Sequence, residues 1–298
     1  MRLGVLDIGS NTVHLLVANA LPGGRPLATT SQRTVLRLMR YLEPDGSINE
    51  AGVQALEAAA AEARTVAEAE NVDELLATAT SAVREAANGA EVIARIEAAL
   101  GQELQVLGGE SEARFTFLAV RRWFGWAAGQ ILLFDIGGGS LELASGSNEL
   151  PEFAASLPLG AGRMTIAHLA EDPPGEEAVE RLRVHTRETL APVAERMREL
   201  PRPEVVAGSS KAIRSLAKLA GHPVSSTSGV DRMVLPRQAL GSWIPRLARL
   251  PAVARQELPG ITADRAVQIV AGAVVLHEAM RALGHEPAAD VAPGGKAG

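Results

Sequence analysis

One local pattern occurs twice in this chain and limits the folds open to it more than any other feature. Leu3-Gly4-Val5-Leu6-Asp7-Ile8-Gly9-Ser10 runs into a strand-like stretch at 12–18, and Ile131-Leu132-Leu133-Phe134-Asp135-Ile136-Gly137-Gly138-Gly139-Ser140 runs into another at 141–144. Each copy is an apolar strand, an Asp, a glycine turn closed by Ser, and a second strand, which is the pattern of a β-hairpin with an exposed tip. Glycine suits such a tip because it adopts positive φ and lets the backbone come close to a ligand. Successive amide N–H groups can then aim at one anion. Two matched copies, each with an Asp ahead of the glycines, indicate duplicated lobes facing one another across a phosphate site.

The rest of the chain agrees with two lobes. Its 298 residues exceed what one hydrophobic core ordinarily serves. Strand and helix patterns alternate, as an α/β layer fold requires. Residues 49–71 have apolar positions at helical spacing behind a capping Asn49. Strands are expected at 74–80, 104–107, 152–157 and 205–207, and helices at 89–100, 110–123, 164–169, 176–200, 211–219, 235–250 and 262–283. The N-terminal lobe is placed at 1–125 and the C-terminal lobe at 126–285. The Pro, Ala and Gly of 286–298 have no periodicity, so a disordered tail is expected there.

Composition excludes several functions. Cysteine is absent, which removes disulfides, thiolate zinc sites and a cysteine nucleophile, and fits a reducing compartment. Cytoplasm is the expected location, since the apolar run at the N-terminus is short and broken by Asp7, and no run reaches membrane length. A net charge of −6 argues against nucleic acid as a partner. Binding an anion on such a chain requires backbone amides, a few Arg or Lys, and a metal ion to offset the wider field. Alanine-rich helix faces are compatible with a homodimer, the expected assembly.

The chemistry-bearing residues cluster at strand ends. Asp7 and Asp135 can hold Mg²⁺ directly or through its waters, and Glu142, on the strand leaving the second turn, can add a contact. An Asp bonded to its own turn is the plainer reading. Arg84 closes a polar turn after a strand, and its planar fork suits a phosphate. Glu110 and Glu112 open a helix after Gly108-Gly109. Compensation of the helix dipole accounts for them on sequence alone, and a general base for an attacking water is the sharper alternative. Gly208-Ser209-Ser210-Lys211 repeats the strand, glycine, hydroxyl, helix order and can bind an anion at a helix N-terminus. The Walker spacing and H-E-x-x-H are both missing, which disfavours a P-loop ATPase and a zinc hydrolase. His14, inside a strand, reads as a hydrogen-bonded packing residue.

Four segments in order resemble the exopolyphosphatase/guanosine pentaphosphate phosphohydrolase family, in particular its short actinobacterial exopolyphosphatase type. They are Asp7-Ile8-Gly9-Ser10-Asn11-Thr12, Ala79-Thr80-Ser81-Ala82-Val83-Arg84, Gly109-Glu110-Ser111-Glu112-Ala113-Arg114 and Asp135-Ile136-Gly137-Gly138-Gly139-Ser140-Leu141-Glu142. The resemblance implies an α/β, two-lobed actin-like (ribonuclease H-like) fold of the ATPase superfamily with a central interlobe cleft. It implies Mg²⁺-dependent hydrolysis of the terminal phosphate of inorganic polyphosphate, with short chains expected, or of pppGpp to ppGpp. Glu112 falls on the family's catalytic Glu. Arg84 falls on the family's phosphate-contacting Arg, Asp135 and Glu142 on acids tied to the metal, and Gly208, Ser209 and Ser210 on a glycine-serine loop lining the cleft. Together with the hairpin residues Gly9, Ser10, Asn11, Gly137, Gly138, Gly139 and Ser140 they make up the expected phosphate site, with Asp7 a further expected metal contact. A kinase or ATPase of the same superfamily and a non-catalytic polyphosphate or alarmone sensor are the rival readings. One departure is clear: relatives carry an Ala-Leu-Arg-Glu-Gly-like motif where this chain has Ala282-Leu283-Gly284-His285-Glu286-Pro287.

Overall fold

The computed structural model describes residues 1–21, 26–224 and 232–283, together with the backbone of 289–291. The first sheet contains β1 (Arg2–Ile8), β2 (Thr12–Asn19), β3 (Leu27–Val35), β4 (Glu74–Ala79) and β5 (Gln105–Val106), in the order β3-β2-β1-β4-β5. The β1–β2 and β2–β3 pairs are antiparallel and the β1–β4 and β4–β5 pairs parallel. Leu6, Ile8, Leu15 and Val17 share a core with helices α1 (Glu50–Ala69) and α2 (Gly89–Leu100). Asn49 caps α1, accepting from the Gly52 amide at 3.0 Å. Ala59, Ala60, Ala63 and Ala67 of α1 are all buried, so alanines that on sequence could have formed an interface belong to this core.

Contacts divide the chain into two compact units between Gly109 and Glu110, earlier than the boundary at 125 read from sequence. Helix α3 (Gly109–Phe124) accounts for the difference. Its Phe117 and Val120 pack with Ile131, Leu133, Ala144 and Ala207, so the helix belongs to the second unit.

The second sheet contains β6 (Ile131–Ile136), β7 (Leu141–Gly146), β8 (Phe153–Leu157), β9 (Val205–Gly208), β10 (His222–Val224), β11 (Arg232–Leu235) and β12 (Ala289–Val291), in the order β10-β11-β12-β9-β6-β7-β8. Read from β8, this repeats the first sheet: β8-β7-β6-β9-β12 matches β3-β2-β1-β4-β5, with the same antiparallel and parallel partners. β6 is covered on both sides. Leu132, Phe134 and Ile136 join the larger core, while Ile131 and Leu133 face α3, which explains an apolar run without alternation.

Two expectations need correction. Ala289–Val291 lies in the stretch expected to be disordered, yet it occupies the fifth-strand position, parallel to β9 through Asp290↔Ala207 and Val291↔Gly208. Ladder hydrogen bonds, which need no hydrophobic periodicity, hold it there. The remainder of 284–298, including the departure at Gly284 to Pro287, lies outside the described residues. The last long helix also starts later than position 262. Thr262 and Asp264 bond one another and the chain turns through 263–268 before the helix begins at Ile269, as expected where Thr and Asp side chains compete for local backbone.

Around the second core stand α4 (Ala161–His168), α5 (Gly175–Met197), α6 (Lys211–Ala220), α7 (Arg237–Arg249) and α8 (Ile269–Ala282). Helix α8 is buried on almost every side, Glu278 included at 0% exposure. Arg183 Nη1 and Arg187 Nε of α5 donate to Glu278 at 3.1 and 2.8 Å, and Arg281 Nε lies 3.1 Å away. Burial alone would raise this carboxyl's pKa. The hydrogen bonds from His277 and Arg187 and the charges of Arg187 and Arg281 outweigh it and hold the pKa at about 2, against an ordinary 4.5. No helix among the described residues is long and apolar enough to cross a membrane.

Replacing Glu278 by Gln removes the buried counter-charge of Arg183 and Arg187, leaving them only the longer contacts to Glu180 at 3.7 and 3.8 Å, and should destabilise the protein by ~3 kcal/mol. Since the folded-state pKa lies below the unfolded one, the ionised carboxylate stabilises fully above pH 4.5 and ceases to do so as pH falls through about 2. Acid titrations followed by circular dichroism should therefore show a smaller loss of stability between these limits in Glu278→Gln than in the unaltered chain.

Candidate active site

The hairpin turns form as the sequence indicates. Gly9 N donates to Thr12 O at 3.0 Å in the first, and Gly137 N to Ser140 O at 2.9 Å in the second. The two tips carry different side-chain chemistry. Register sets Asp7 of β1 opposite His14 of β2, but Asp135 of β6 opposite Glu142 of β7. Opposed residues in an antiparallel pair hold their Cβ atoms ~5 Å apart, and like charges there repel.

Glu142 is only 3% exposed, so water does little to relieve that repulsion. Ser156 of β8, next in register, donates to Glu142 Oε1 at 2.9 Å. Ser209 donates to Asp135 Oδ2 at 2.7 Å. Both carboxylates are thus held by hydroxyls, and a cation within reach of the two is the counter-charge the pair calls for. Among the described residues no three His, Cys, Asp or Glu side chains gather closely enough to share an ion. Two carboxylates with water or substrate oxygens completing the shell is a usual arrangement for Mg²⁺, and the Asp135–Glu142 pair fits it. Asp7 is exposed and has no second acid opposite it within its own unit.

The Gly208-Ser209-Ser210 segment ends β9 beside β6, where Ser209 N continues the ladder to Phe134 O at 3.1 Å. Its two serines have separate duties. Ser209 reaches Asp135, whereas Ser210 caps α6 by accepting from Ile213 N at 3.1 Å. Gly208 has no room for a side chain, since a Cβ would lie 2.6 Å from Ile213 Cγ2.

In the first unit, Ser10 is buried and Asn11 half-buried. Arg84 donates to the Leu107 carbonyl and to Glu85 Oε1 at 3.1 Å, which fixes the turn after β4 to the end of β5, next to Gly108-Gly109. Glu112 follows in the first turn of α3, half-buried with Oε2 shielded from solvent. Glu110, on the same turn, instead faces out and bonds Arg114 at 2.6 Å. The two acids are therefore not equivalent, and dipole compensation describes Glu110 better than Glu112. His14 is buried with Nε2 2.8 Å from Ser31 Oγ, in keeping with a packing role.

Sequence reasoning missed Ser156, whose role depends on β8 lying in register with β7, and Arg163, whose Nε donates to Gly139 O at 2.9 Å. A hydroxyl on the strand after the second hairpin was the only available signal for the first, and nothing in spacing indicated the second.

The sequence pattern of the Ppx/GppA phosphatase family matches residues 17–296. Exopolyphosphatase 1 of Mycobacterium tuberculosis is 47% identical over 293 residues, covering 98% of this chain and 85% of that protein. Exopolyphosphatase 1 of Mycobacterium leprae is 45% identical, covering 98% and 86%. Among solved structures, an exopolyphosphatase from Cytophaga hutchinsonii superposes with a TM-score of 0.85 at 23% identity, covering 98% of this chain and 94% of the other. The Aquifex aeolicus Ppx/GppA family member gives 0.77 at 24%, covering 98% and 93%. The chain belongs to the Ppx/GppA phosphatase family, and its fold is the α/β, actin-like one that the family resemblance implies.

Removing the Ser156 hydroxyl takes one hydrogen bond from a buried carboxylate. Ser156→Ala should lower stability by ~1–3 kcal/mol, read as a lower urea midpoint at pH 7. An unchanged midpoint would show that Glu142 does not depend on this bond.

Proposed function

We propose that this protein is an exopolyphosphatase that releases the terminal phosphate of inorganic polyphosphate, acting on short chains and requiring Mg²⁺. The observation that carries the reading is the Asp135–Glu142 pair at a glycine turn: two opposed acids suited to a cation beside amides suited to an anion, on a chain of net charge −6. Exopolyphosphatase 1 of Mycobacterium tuberculosis, at 47% identity, supports the choice of substrate. A polyanion approaches such a chain only where its charge is met locally. Magnesium supplies that charge, lowering repulsion on the non-bridging oxygens when bound at Asp135 and Glu142.

In this reading the amides of Gly138, Gly139 and Ser140 hold the terminal phosphoryl group, while the Gly137 amide closes the turn on Ser140 O. Gly9, Ser10, Asn11 and Arg84 engage the neighbouring phosphates, and Gly208 and Ser209 complete the surroundings of Asp135. Asp7 would be a further residue to hold the metal. Glu112 accepts a proton from the attacking water as its oxygen bonds to the terminal phosphorus. The bridging P–O bond opposite breaks, releasing orthophosphate and a chain shorter by one phosphate. Such chemistry depends mostly on positioning and on stabilising charge in the transition state.

Phosphate release from short polyphosphate, long polyphosphate, pppGpp and ATP, compared side by side with Mg²⁺, tests the substrate. Short polyphosphate should be turned over fastest; a preference for pppGpp would make the protein an alarmone phosphohydrolase, and tight binding without release would make it a sensor. Glu112→Gln should lower kcat by ~10²- to 10⁴-fold, the range for loss of a general base, with KM little changed. Near-normal turnover would remove Glu112 from that role.

A further inference from the structure

The second glycine turn is shaped by a segment outside its hairpin, the start of α4. Three consecutive turn carbonyls accept hydrogen bonds from the start of α4: Gly137 O from Ala161 N at 2.9 Å, Gly138 O from Arg163 N at 2.9 Å, and Gly139 O from Gly160 N at 3.2 Å. Arg163 Nε adds a second bond to Gly139 O at 2.9 Å. In a planar trans peptide the C=O of one residue and the N–H of the next point in opposite directions. Drawing these three carbonyls toward α4 therefore turns the N–H groups of Gly138, Gly139 and Ser140 away from it, all in one sense. Three successive amides so aligned make an anion-binding concavity.

Contact between the two segments is close. A Cβ on Gly160 would lie 2.3 Å from Gly139 C and from Ser140 N, and 2.5 Å from Gly138 C. All three are backbone atoms, so any side chain at 160 has to displace the turn. The first hairpin is held in a related way by the segment that follows β3, as α4 follows β8, through two carbonyls rather than three. Leu38 N donates to Ser10 O at 2.7 Å, and Leu36 N and Arg37 N donate to Asn11 O at 3.0 and 3.1 Å. Arg37 holds a left-handed backbone (φ 55°) to do so, a conformation that non-glycine residues adopt at a cost.

We propose that Arg163 and Gly160 are positioning residues for phosphate binding: they take no part in the chemistry and touch no reacting atom, but they fix the peptide planes whose amides receive the anion. This rests on the assignment of the Gly137–Ser140 turn to phosphate. Inorganic phosphate is a suitable probe, because it binds without turnover. Calorimetric titration of the full chain with phosphate in Mg²⁺ gives both an affinity and a stoichiometry, and partial unfolding lowers the second without altering the first. Arg163→Met keeps the apolar stem but removes Nε, and Gly160→Ala pushes on the turn. Each should weaken phosphate binding by ~10- to 100-fold, the scale of one hydrogen bond to a charged group, at unchanged stoichiometry. kcat for tripolyphosphate should fall in parallel.

If Gly160→Ala does not fold, Arg163→Met decides alone. Unchanged affinity in Arg163→Met would overturn the proposal. Weakened phosphate binding in the variants of a protein that releases no phosphate from polyphosphate would uphold it while removing the hydrolase reading. Absence of phosphate binding by the unaltered chain would overturn both.

Discussion

Two acids of like charge stand opposite one another on the β6–β7 hairpin because the turn between them is four residues long and fixes the register as Asp135↔Glu142. Hairpin register is set by turn length and type, and a slip of one residue would send one of the acids to the other face. Everything proposed for the site follows from that pairing. Glu142 is buried, Asp135 lies at the tip, and hydroxyls from two neighbouring strand ends, Ser156 and Ser209, hold the carboxylates in place. A cation shared by the pair would offset their mutual repulsion, which is the physical basis for proposing a divalent ion at the second hairpin rather than the first, where Asp7 faces His14.

Rigidity around the turn comes from both faces of the sheet. Behind β6, Ile131 and Leu133 pack on α3, and on the other face Leu132, Phe134 and Ile136 pack toward α8. The start of α4 takes up the turn's carbonyls, and Ser210 caps α6 just beyond Ser209. Farther off, Glu278 ties α8 to α5 through Arg183 and Arg187. A site that works by positioning needs such support, because small displacements of anion donors are costly in phosphoryl transfer.

Much of this was legible in the sequence where a local signal existed. The two hairpins carry their own glycines and Asp. The Asn49 cap and the apolar spacing of α1 placed that helix within a residue or two of where it lies, and α2 was placed at both ends. β3 gave no such signal, since Leu27–Val35 is a mostly exposed edge strand of Thr, Ser, Gln and Arg without apolar alternation. β12 is three residues in a Pro/Gly-rich stretch, held by ladder bonds that hydropathy cannot reveal. Helix α3 looked like the end of one domain because its sequence neighbours are there, while its buried face belongs to the other. The side chains of the site followed the same division: residues next to glycine turns could be picked out, but Ser156 and Arg163 depend on tertiary register.

The central claim is that phosphate and a divalent ion meet at the second hairpin. A crystal structure of the Glu112→Gln protein with tripolyphosphate and Mg²⁺ tests it most directly. The account predicts an ion between the carboxylates of Asp135 and Glu142, and a terminal phosphoryl group whose oxygens accept from the amides of Gly138, Gly139 and Ser140. Tripolyphosphate bound elsewhere on the chain, with those amides facing only solvent and no ion at the two acids, would contradict it.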